Sequence, residues 1–600
     1  MESSHEKKKS YRIKNSIQDI FHLYNDLLRE RGVDSTKGKH TAAAKKSNKN
    51  QYWDIIVLTT FDETQKLCFE HQIDKKRKCG ELPEVAVYVI ADPPGHKLGV
   101  GGSTLYVLSE LRKELTNSLY EKKILIIHSG GSSQRLPSYS AVGKIFSPIP
   151  AEGLMVGSKV PQMFDLKLAL YLPFCRLLKP GVFVSCADDI ETYHLDVTDL
   201  DRQLLQESDV VALAHPSSLV IGEGHGVYVV KDVKDSTPSC VHECTEVLQK
   251  PSQSDMREAG AVWIESNENS DVERVWSDSV FWLGWDICSD LLHWFDSHHP
   301  MSSELDAYAH FLPCLGSNKA KAKPSEFSDF RSDMLPIFQG RKFKVILLPD
   351  SEFYHLGTME EYLAHFNVMK NFSHELGIQK NTSNIDNPYL LKDEQGNFQP
   401  DVTNAGMFIQ THFSHQNLKV TVPDELTQFV IEKCVIDLPI NLTGSVIISG
   451  CSIQKCSSVS LLSSTVTIFA NLLYHTLPII HQGKSIYVTV AFDLDAKMKA
   501  ASDTLSGLNN YGRKLSEVVQ ILDLKLVTEH GEKLTLWNTR MFTGADSAEE
   551  SFWLTHHDIN KVVCETEGTP LQTDVGNCRK TGLFSMKDVV EQKDLKKLVC

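Results

Sequence analysis

The sequence predicts an α/β protein whose sheet is followed by a β-rich region. From Trp53 to about residue 370, short β-branched runs alternate with segments of helical apolar spacing. Two glycine clusters, KLGVGGS (97–103) and SGGSSQR (129–135), fall within that alternation at the carboxyl ends of strands, where open α/β sheets bind ligands. Beyond residue 381 apolar residues recur at a six-residue interval, at Ile436, Leu442 and Ile448, and again at Ile440 and Val446.

In chain order, residues 11–30 place Ile13, Ile17, Ile20, Phe21, Tyr24 and Leu27 on one helical face. The Lys-, Ser- and Ala-rich segment from Gly32 to Lys49 reads as a solvated tether. WDIIVLTT, VAVYVIAD and KILIIHS then read as strands, separated by the helices ETQKLCFEHQI and STLYVLSELRKEL. That alternation implies a parallel sheet covered on both faces. PQMFDLKLALYL reads as a helix opened by Pro161, and GVFVSCADD as a buried strand ending on Asp188 and Asp189. VVALAHPS, GVYVVKDV, VHECTEVLQKP, VFWLGWDI and KFKVILLPD supply further strands. The polar stretch from Asn381 to Asn404 marks a domain junction. The six-residue interval beyond it fits turns of a β-helix or an irregular β-sandwich. The resulting partition is an N-terminal helix and tether (1–50), an α/β domain (51–380), a β-rich domain (381–510) and a mixed helix-and-loop region (511–600).

Composition excludes several classes. A net charge of -15 over 600 residues gives no reason to expect nucleic acid or an anionic membrane as partner, because an acidic surface repels phosphate polymers. A small phosphorylated substrate stays compatible, held by local cations. Fourteen cysteines without a CxxC pair, behind an N-terminus (MESSHEKKKS) with no apolar core, fit a reducing, cytosolic setting. The cluster CVHEC (240–244) lacks a second ligand pair at zinc-finger spacing and reads as a strand or loop. The segment between Lys455 and Lys484 is uncharged and long enough to span a bilayer. Its many Ser and Thr residues, with Asn471, His475, Pro478 and His481, make it buried β structure instead. Oligomeric state leaves no mark in the sequence.

The stretch HSGGSSQRLPSYSAVGKIFSPIP (128–150) carries the chemistry. It is not a P-loop: Ser138 stands where the first glycine belongs, and Ile145 replaces the Ser or Thr that would hold magnesium. Neither glycine cluster gives a GxGxxG that opens a helix in the dinucleotide pattern. What remains is a strand, then Gly130 and Gly131, then Arg135 and Lys144. Glycines let backbone N–H groups approach phosphates, Arg135 can grip oxygens through two parallel bonds, and Lys144 adds a point charge. On spacing alone a phosphate cradle and a plain turn flanked by surface cations remain equally open.

The wider set of motifs narrows this. DPPGHKLGVGGSTL, IHSGGSSQRLP, GKIFSPIP, CADDIE, ALAHPSSL, GHGVYV, QKP and FYHLGTMEEYL occur in this order. The set resembles the sugar-1-phosphate nucleotidyltransferases, and among them the branch that activates fucose 1-phosphate with GTP. The resemblance is strong over about residues 50–370 and weak beyond. It implies a GT-A-like, Rossmann-type catalytic domain that joins a nucleoside monophosphate to a sugar 1-phosphate and releases pyrophosphate. It further implies that Gly130, Gly131, Ser133, Gln134 and Arg135 hold the nucleotide phosphates, that Lys144 neutralises the reacting phosphate, and that Asp188 or Asp189 holds Mg²⁺. Lys250 would bind the sugar's phosphate, with His225 and Gly226 near the sugar ring. Gly99, Gly101 and Gly102 would form a second backbone cradle.

Two positions depart from the pattern. Val100 stands where relatives carry a small polar residue, and His355 stands before LGT where the wider class often has an acidic metal ligand. A second carboxylate would then come from the other member of the aspartate pair or from Asp286. Nothing in the sequence reads guanine, so a different base or sugar remains open, as does a non-catalytic scaffold that keeps the fold.

Overall fold

The computed structural model describes residues 13–29, 52–154, 160–230, 240–267, 270–316, 330–378, 381–382, 406–414, 418–423, 427–526, 532–568, 570–576, 578 and 580–598. The expected tether from Gly32 to Lys49 and nearly all of the expected junction lie outside them. The chain divides into two compact units, one of Met1–Lys66, Ile73–Gly130 and Asp165–Tyr354, the other of Leu67–Gln72, Gly131–Phe164 and His355–Cys600.

In the first unit, helix α1 (Ile17–Arg29) begins later than the apolar spacing predicts. Ser16 and Asp19 cap it reciprocally, Asp19 N–H donating to the Ser16 hydroxyl and Ser16 N–H to the Asp19 carboxylate, which fixes the start. Ile13 lies instead in a short strand paired with Val197, and Leu28 rather than Leu27 completes the buried face.

The sheet of this unit is built on β1 (Ile55–Thr60), β2 (Ala86–Ala91), β3 (Lys123–His128) and β4 (Gly181–Cys186), which run parallel in the order β2-β1-β3-β4. Helices α2 (Glu63–Lys78), α3 (Gly99–Leu115) and α4 (Met163–Leu170) lie in the crossovers between them. The sheet then becomes mixed, which the alternation pattern did not predict. β5 (Val210–Ser218), β6 (Gly226–Val230), β7 (Val241–Gln249), β8 (Ser270–Gly284) and β9 (Phe343–Leu347) continue it, and β8 runs antiparallel to both β4 and β5. The VFWLGWDI segment is likewise only half strand. β8 stops at Gly284, and α5 (Trp285–His298) starts at the next residue. Residues such as Val57, Leu105, Ile126, Val184, Ala212, Phe281 and Leu291 form one continuous core across sheet and helices, as burial of β-branched runs on both faces requires.

The second unit contains the later β-rich chain. After α6 (Met359–Asn367), strands β10 (Gly406–Ile409), β11 (Phe429–Glu432), β12 (Val446–Ser449) and β13 (Leu472–His481) stack in parallel, Phe429 pairing with Val446 and Val446 with Leu472. Two smaller parallel sheets accompany it, one pairing Ile436 with Ile453, the other Ile440 with Val466. The six-residue interval has a direct origin: Ile436, Leu442 and Ile448 lie in three different sheets, one on each. A long hairpin to β14 (Lys484–Asp493) and helix α7 (Ala548–Glu567) close the unit. No described helix is long and apolar enough to cross a membrane, and no disulfide joins the described cysteines.

Candidate active site

The signature stretch begins where β3 ends. Gly130 passes so close to β1 that a Cβ there would sit 2.9 Å from Thr60 C and Phe61 N, so only glycine fits. Ser129 N–H and hydroxyl bind Thr59. Gly131 takes φ +136° and Ser133 φ +47°, conformations that re-aim the chain sharply. Ser133 O then accepts from Leu136 N–H and the Ser140 hydroxyl. Gln134 is half-buried on this turn and Arg135 is exposed. A second tight turn, at Gly143 (φ +86°), delivers Lys144; it presses so closely on the Phe69 ring that a Cβ on Gly143 would lie 2.5 Å from it.

The Lys144 side chain and the Arg135 backbone are both tied to residues 357–359 of the same unit. The ammonium of Lys144 donates to Gly357 O at 3.0 Å, and Met359 N–H donates to Arg135 O at 3.1 Å. Thr358 caps α6 by accepting from Glu361 N–H. Glu361 in turn accepts from Gly357 N–H at 3.0 Å and meets His355 Nδ1 at 3.1 Å. Partial burial raises the Glu361 carboxyl, but the bonds from His355, Thr358 and Gly357 outweigh it and bring the group down to about 2. The histidine that replaces an expected acid is therefore partnered by a carboxylate six positions on, and that carboxylate clamps the turn.

Asp188 is half-buried just past β4. Asp189 is the other candidate metal ligand. It opens a strand (Asp189–Thr192), and its carboxylate is engaged in a short ion pair with Lys167 of α4, whose side chain is fully buried. Burial pushes the Asp189 carboxyl up, against the lowering pull of Lys167. Tyr171 links the same lysine to Glu191, at 2.8 and 3.2 Å. Among the described residues no group of three or more His, Cys, Asp or Glu side chains is placed to hold a metal. Magnesium needs only one or two carboxylates, with phosphate oxygens and water completing its octahedron. Asp188 fits that requirement; Asp189 is committed to Lys167. Asp286 lies exposed in the first turn of α5.

Gly99, Gly101 and Gly102, expected to form a second backbone cradle, lie on a helix rather than in a loop. They form the first turn of α3, where a Cβ on Gly101 would meet Leu305 O at 2.9 Å and Gly102 N–H already donates to Leu305 O. Close packing explains these glycines, and half-buried Val100 rests on the adjoining core.

Lys250, His225 and Gly226 do come together. Lys250 N–H donates to His225 O at 3.0 Å, Gly226 pairs with Gln249, and Lys250 takes φ +46° with its side chain exposed. His225 meets the edge of Phe353 at 6.0 Å, and Phe353 stacks on His215 at 4.7 Å. Burial holds His215 down at about 4, so it is a neutral ring near pH 7.

Sequence reasoning missed Lys167, Glu361 and Phe353. Two of these left a signal. A lone lysine in the apolar helix MFDLKLALYL needs a buried partner, and Thr358-x-x-Glu361 is the spacing of a capping box.

A strand that ends on a Gly-Gly turn, followed by an arginine and an anchored lysine, is an arrangement suited to holding phosphates. Residues 116–546 match the Fucose pyrophosphorylase domain, and the chain belongs to that family. It is 36% identical over 383 residues to a mouse fucose-1-phosphate guanylyltransferase, covering 59% of this chain and 62% of the relative, so it spans less than two thirds of that protein's length. The human fucose-1-phosphate guanylyltransferase is 32% identical over 545 residues, covering 84% of this chain and 83% of the relative. An Arabidopsis thaliana bifunctional fucokinase/GDP-fucose pyrophosphorylase is 26% identical over 345 residues, 52% of this chain and 32% of that protein.

Proposed function

We propose that this protein transfers GMP from GTP to β-L-fucose 1-phosphate, giving GDP-L-fucose and pyrophosphate in fucose salvage. The observation that carries the reading is the anchored loop of Arg135 and Lys144 within a chain of this family.

No general base is needed, because a sugar phosphate with a second pKa of about 6 is already largely dianionic at neutral pH. One of its oxygens attacks the α-phosphorus of GTP in line, the α–β phosphoanhydride bond breaks, and the electron pair leaves with pyrophosphate. The chain's task is to align two anions and stabilise the charge that develops between them. Arg135 and the amides of the Gly130–Gln134 turn grip the nucleotide phosphates. Lys144, with one N–H directed to Gly357, presents a fixed positive charge to the reacting phosphate. Lys250 binds the phosphate of the sugar, with His225 and Gly226 beside the ring. Asp188 would hold Mg²⁺, which supplies charge neutralisation on the phosphates.

The same reading makes the first unit a GT-A-like, Rossmann-type domain, supported by its four adjacent parallel strands with intervening helices. It makes the three parallel ladders of the second unit the faces of a β-helix, supported by consecutive strands that fall in different sheets. A cytosolic location accords with the free thiols of the described cysteines.

The test is release of pyrophosphate by the purified protein from GTP, Mg²⁺ and β-L-fucose 1-phosphate, with a panel of other nucleotides and sugar phosphates alongside. Turnover confined to the GTP and fucose 1-phosphate pair is expected. Preference for another pair would reassign the substrates, and nucleotide binding without turnover of any pair would leave a scaffold.

A further inference from the structure

Glu432, the last residue of β11, is wholly buried, yet it carries a carboxylate. Along β11 the side chains alternate. Phe429 and Ile431 enter the apolar core of the β-rich chain, so Glu432 lies on the opposite face. There its Oε2 accepts hydrogen bonds from two phenols, Tyr139 at 2.6 Å and Tyr362 at 2.7 Å, whose own oxygens are 3.3 Å apart. Tyr139 sits between Arg135 and Lys144 in the signature loop, and Tyr362 lies in α6, one residue after Glu361. The neighbouring Lys433 holds its ammonium 5.3 Å from the centre of the Tyr139 ring. Burial, followed by the nearby Glu432 charge, pushes both phenols well above their ordinary value, so each stays a proton donor.

This arrangement is an odd choice for stability alone. Apolar residues of similar volume commonly match or exceed a buried charged cluster in stability, whereas such a cluster selects a single geometry. The other carboxylate oxygen, Oε1, is buried without a hydrogen-bond partner among the described residues, a further cost. The gain is geometric, since one acceptor fixes two donors from distant stretches of the chain. The loop is then held at three points: Arg135 O by Met359 N–H, Lys144 by Gly357 O, and Tyr139 by Glu432.

We propose that Glu432 is a positioning residue for the nucleotide-phosphate loop, acting through Tyr139 and Tyr362 to hold Arg135 and Lys144 in their working geometry. The β-rich chain thereby takes part in the reaction without touching substrate. The inference rests on the reading of residues 129–147 as the nucleotide-phosphate loop.

The test uses the full chain and the variants Glu432→Gln, Tyr139→Phe and Tyr362→Phe, with Tyr474→Phe, from the β13 core, as control. The two phenylalanine variants keep ring volume and so remain informative if Glu432→Gln fails to fold. Steady-state kinetics are read together with hydrogen–deuterium exchange of amides 131–147. The expected result is a kcat lower by roughly tenfold, the scale of one lost hydrogen bond to a charged group, with the KM for fucose 1-phosphate unchanged within about twofold. Exchange across 131–147 should rise while exchange in β1 stays at the wild-type level, and the control should match wild type in both. Folded variants with wild-type kcat and wild-type loop exchange would overturn the proposal. So would variants that lose thermal stability alone. A wild-type protein that releases no pyrophosphate would defeat the proposed reaction instead, and loop exchange would then decide the role of Glu432 by itself.

Discussion

The ammonium of Lys144 donates to the carbonyl oxygen of Gly357 at 3.0 Å, so the cation of one signature motif is fixed by the backbone of another more than two hundred residues later. A lysine steered in this way loses rotamer freedom before substrate arrives, and preorganised charge stabilises a transition state far better than charge that must reorient. Replacing Lys144 with Met, which keeps the stem and removes the charge, should lower kcat about a hundredfold or more. Arg135→Ala should have an effect of similar size, weighted toward the KM for the nucleotide. Steady-state kinetics with circular dichroism to confirm folding checks both, and wild-type turnover in either would remove that residue from the mechanism.

The acceptor is as vulnerable as the donor. A Cβ on Gly357 would lie 1.9 Å from the His355 ring. Gly357→Ala must therefore displace His355, and with it the Glu361 clamp that sets the turn. The expected outcome is a loss of activity of up to a hundredfold, the scale on which small misplacements of a reacting group act, together with a lower Tm. Unchanged kinetics would show that the carbonyl position is not critical.

The aspartate pair should separate by assay. Lys167 has a fully buried side chain, and Asp189 is its ion-pair partner. Removing that partner leaves a buried charge uncompensated, so Asp189→Asn should cost about 3–5 kcal/mol of stability in chemical denaturation. Asp188→Asn should keep its stability and lose most of its Mg²⁺-dependent turnover. Titration with Mg²⁺ checks this, since a simple loss of affinity would be recovered at higher metal concentration. The reverse pattern would exchange the roles of the two residues.

Lys250 offers a test of substrate sorting. Its φ of +46° is one that glycine adopts readily, so Lys250→Gly removes the cation without straining the chain. The KM for fucose 1-phosphate should rise at least about tenfold, while the KM for GTP changes little. Equal changes in both constants would argue against a sugar-phosphate role.

Stability should fall on mild acidification. His215, His475 and His556 are buried, and burial holds each down at about 4, against about 6.5 in an unfolded chain. Between those values the unfolded state binds protons that the folded state refuses, so stability is fully present above about pH 6.5 and is lost as pH falls toward 4. Glu361, held at about 2, adds a loss that begins below its unfolded pKa, near 4.5, and runs down to 2. Denaturant midpoints measured from pH 8 to 4 check the sign. A midpoint that stays flat across that window would mean that these rings are protonated in the folded protein.

Much of the α/β unit was legible because its signal is local. β-branched runs bounded by turn residues marked β1 to β3 closely, whereas β4 stops at Cys186, short of the expected end on Asp188 and Asp189, and the Gly130–Gly131 turn announced itself by composition. The mixed direction of β8 was not legible, since strand polarity depends on how the chain returns rather than on side-chain pattern. Gly101 and Gly102 are ambiguous for a related reason. Glycine marks close approach of backbone without saying whether the neighbour is a ligand or, as here, Leu305. Helix α7 could have been read from Ser547 as cap and the spacing of Phe552, Ile559 and Val562. Glu432 could not, because a single acid in a β-branched run looks like a solvent-facing position until its partners from 293 and 70 residues away are in place.

The division of the chain has a consequence for inheritance. Residues 131–164 belong to the same compact unit as everything after His355, although 190 residues, Asp165 to Tyr354 of the other unit, separate them in sequence. Neither unit can be acquired, lost or exchanged as one uninterrupted stretch of gene. A crossover that replaced the later half of the coding sequence would strip Tyr139 and Lys144 of the very groups that hold them, so the two ends of this protein are constrained to diverge together.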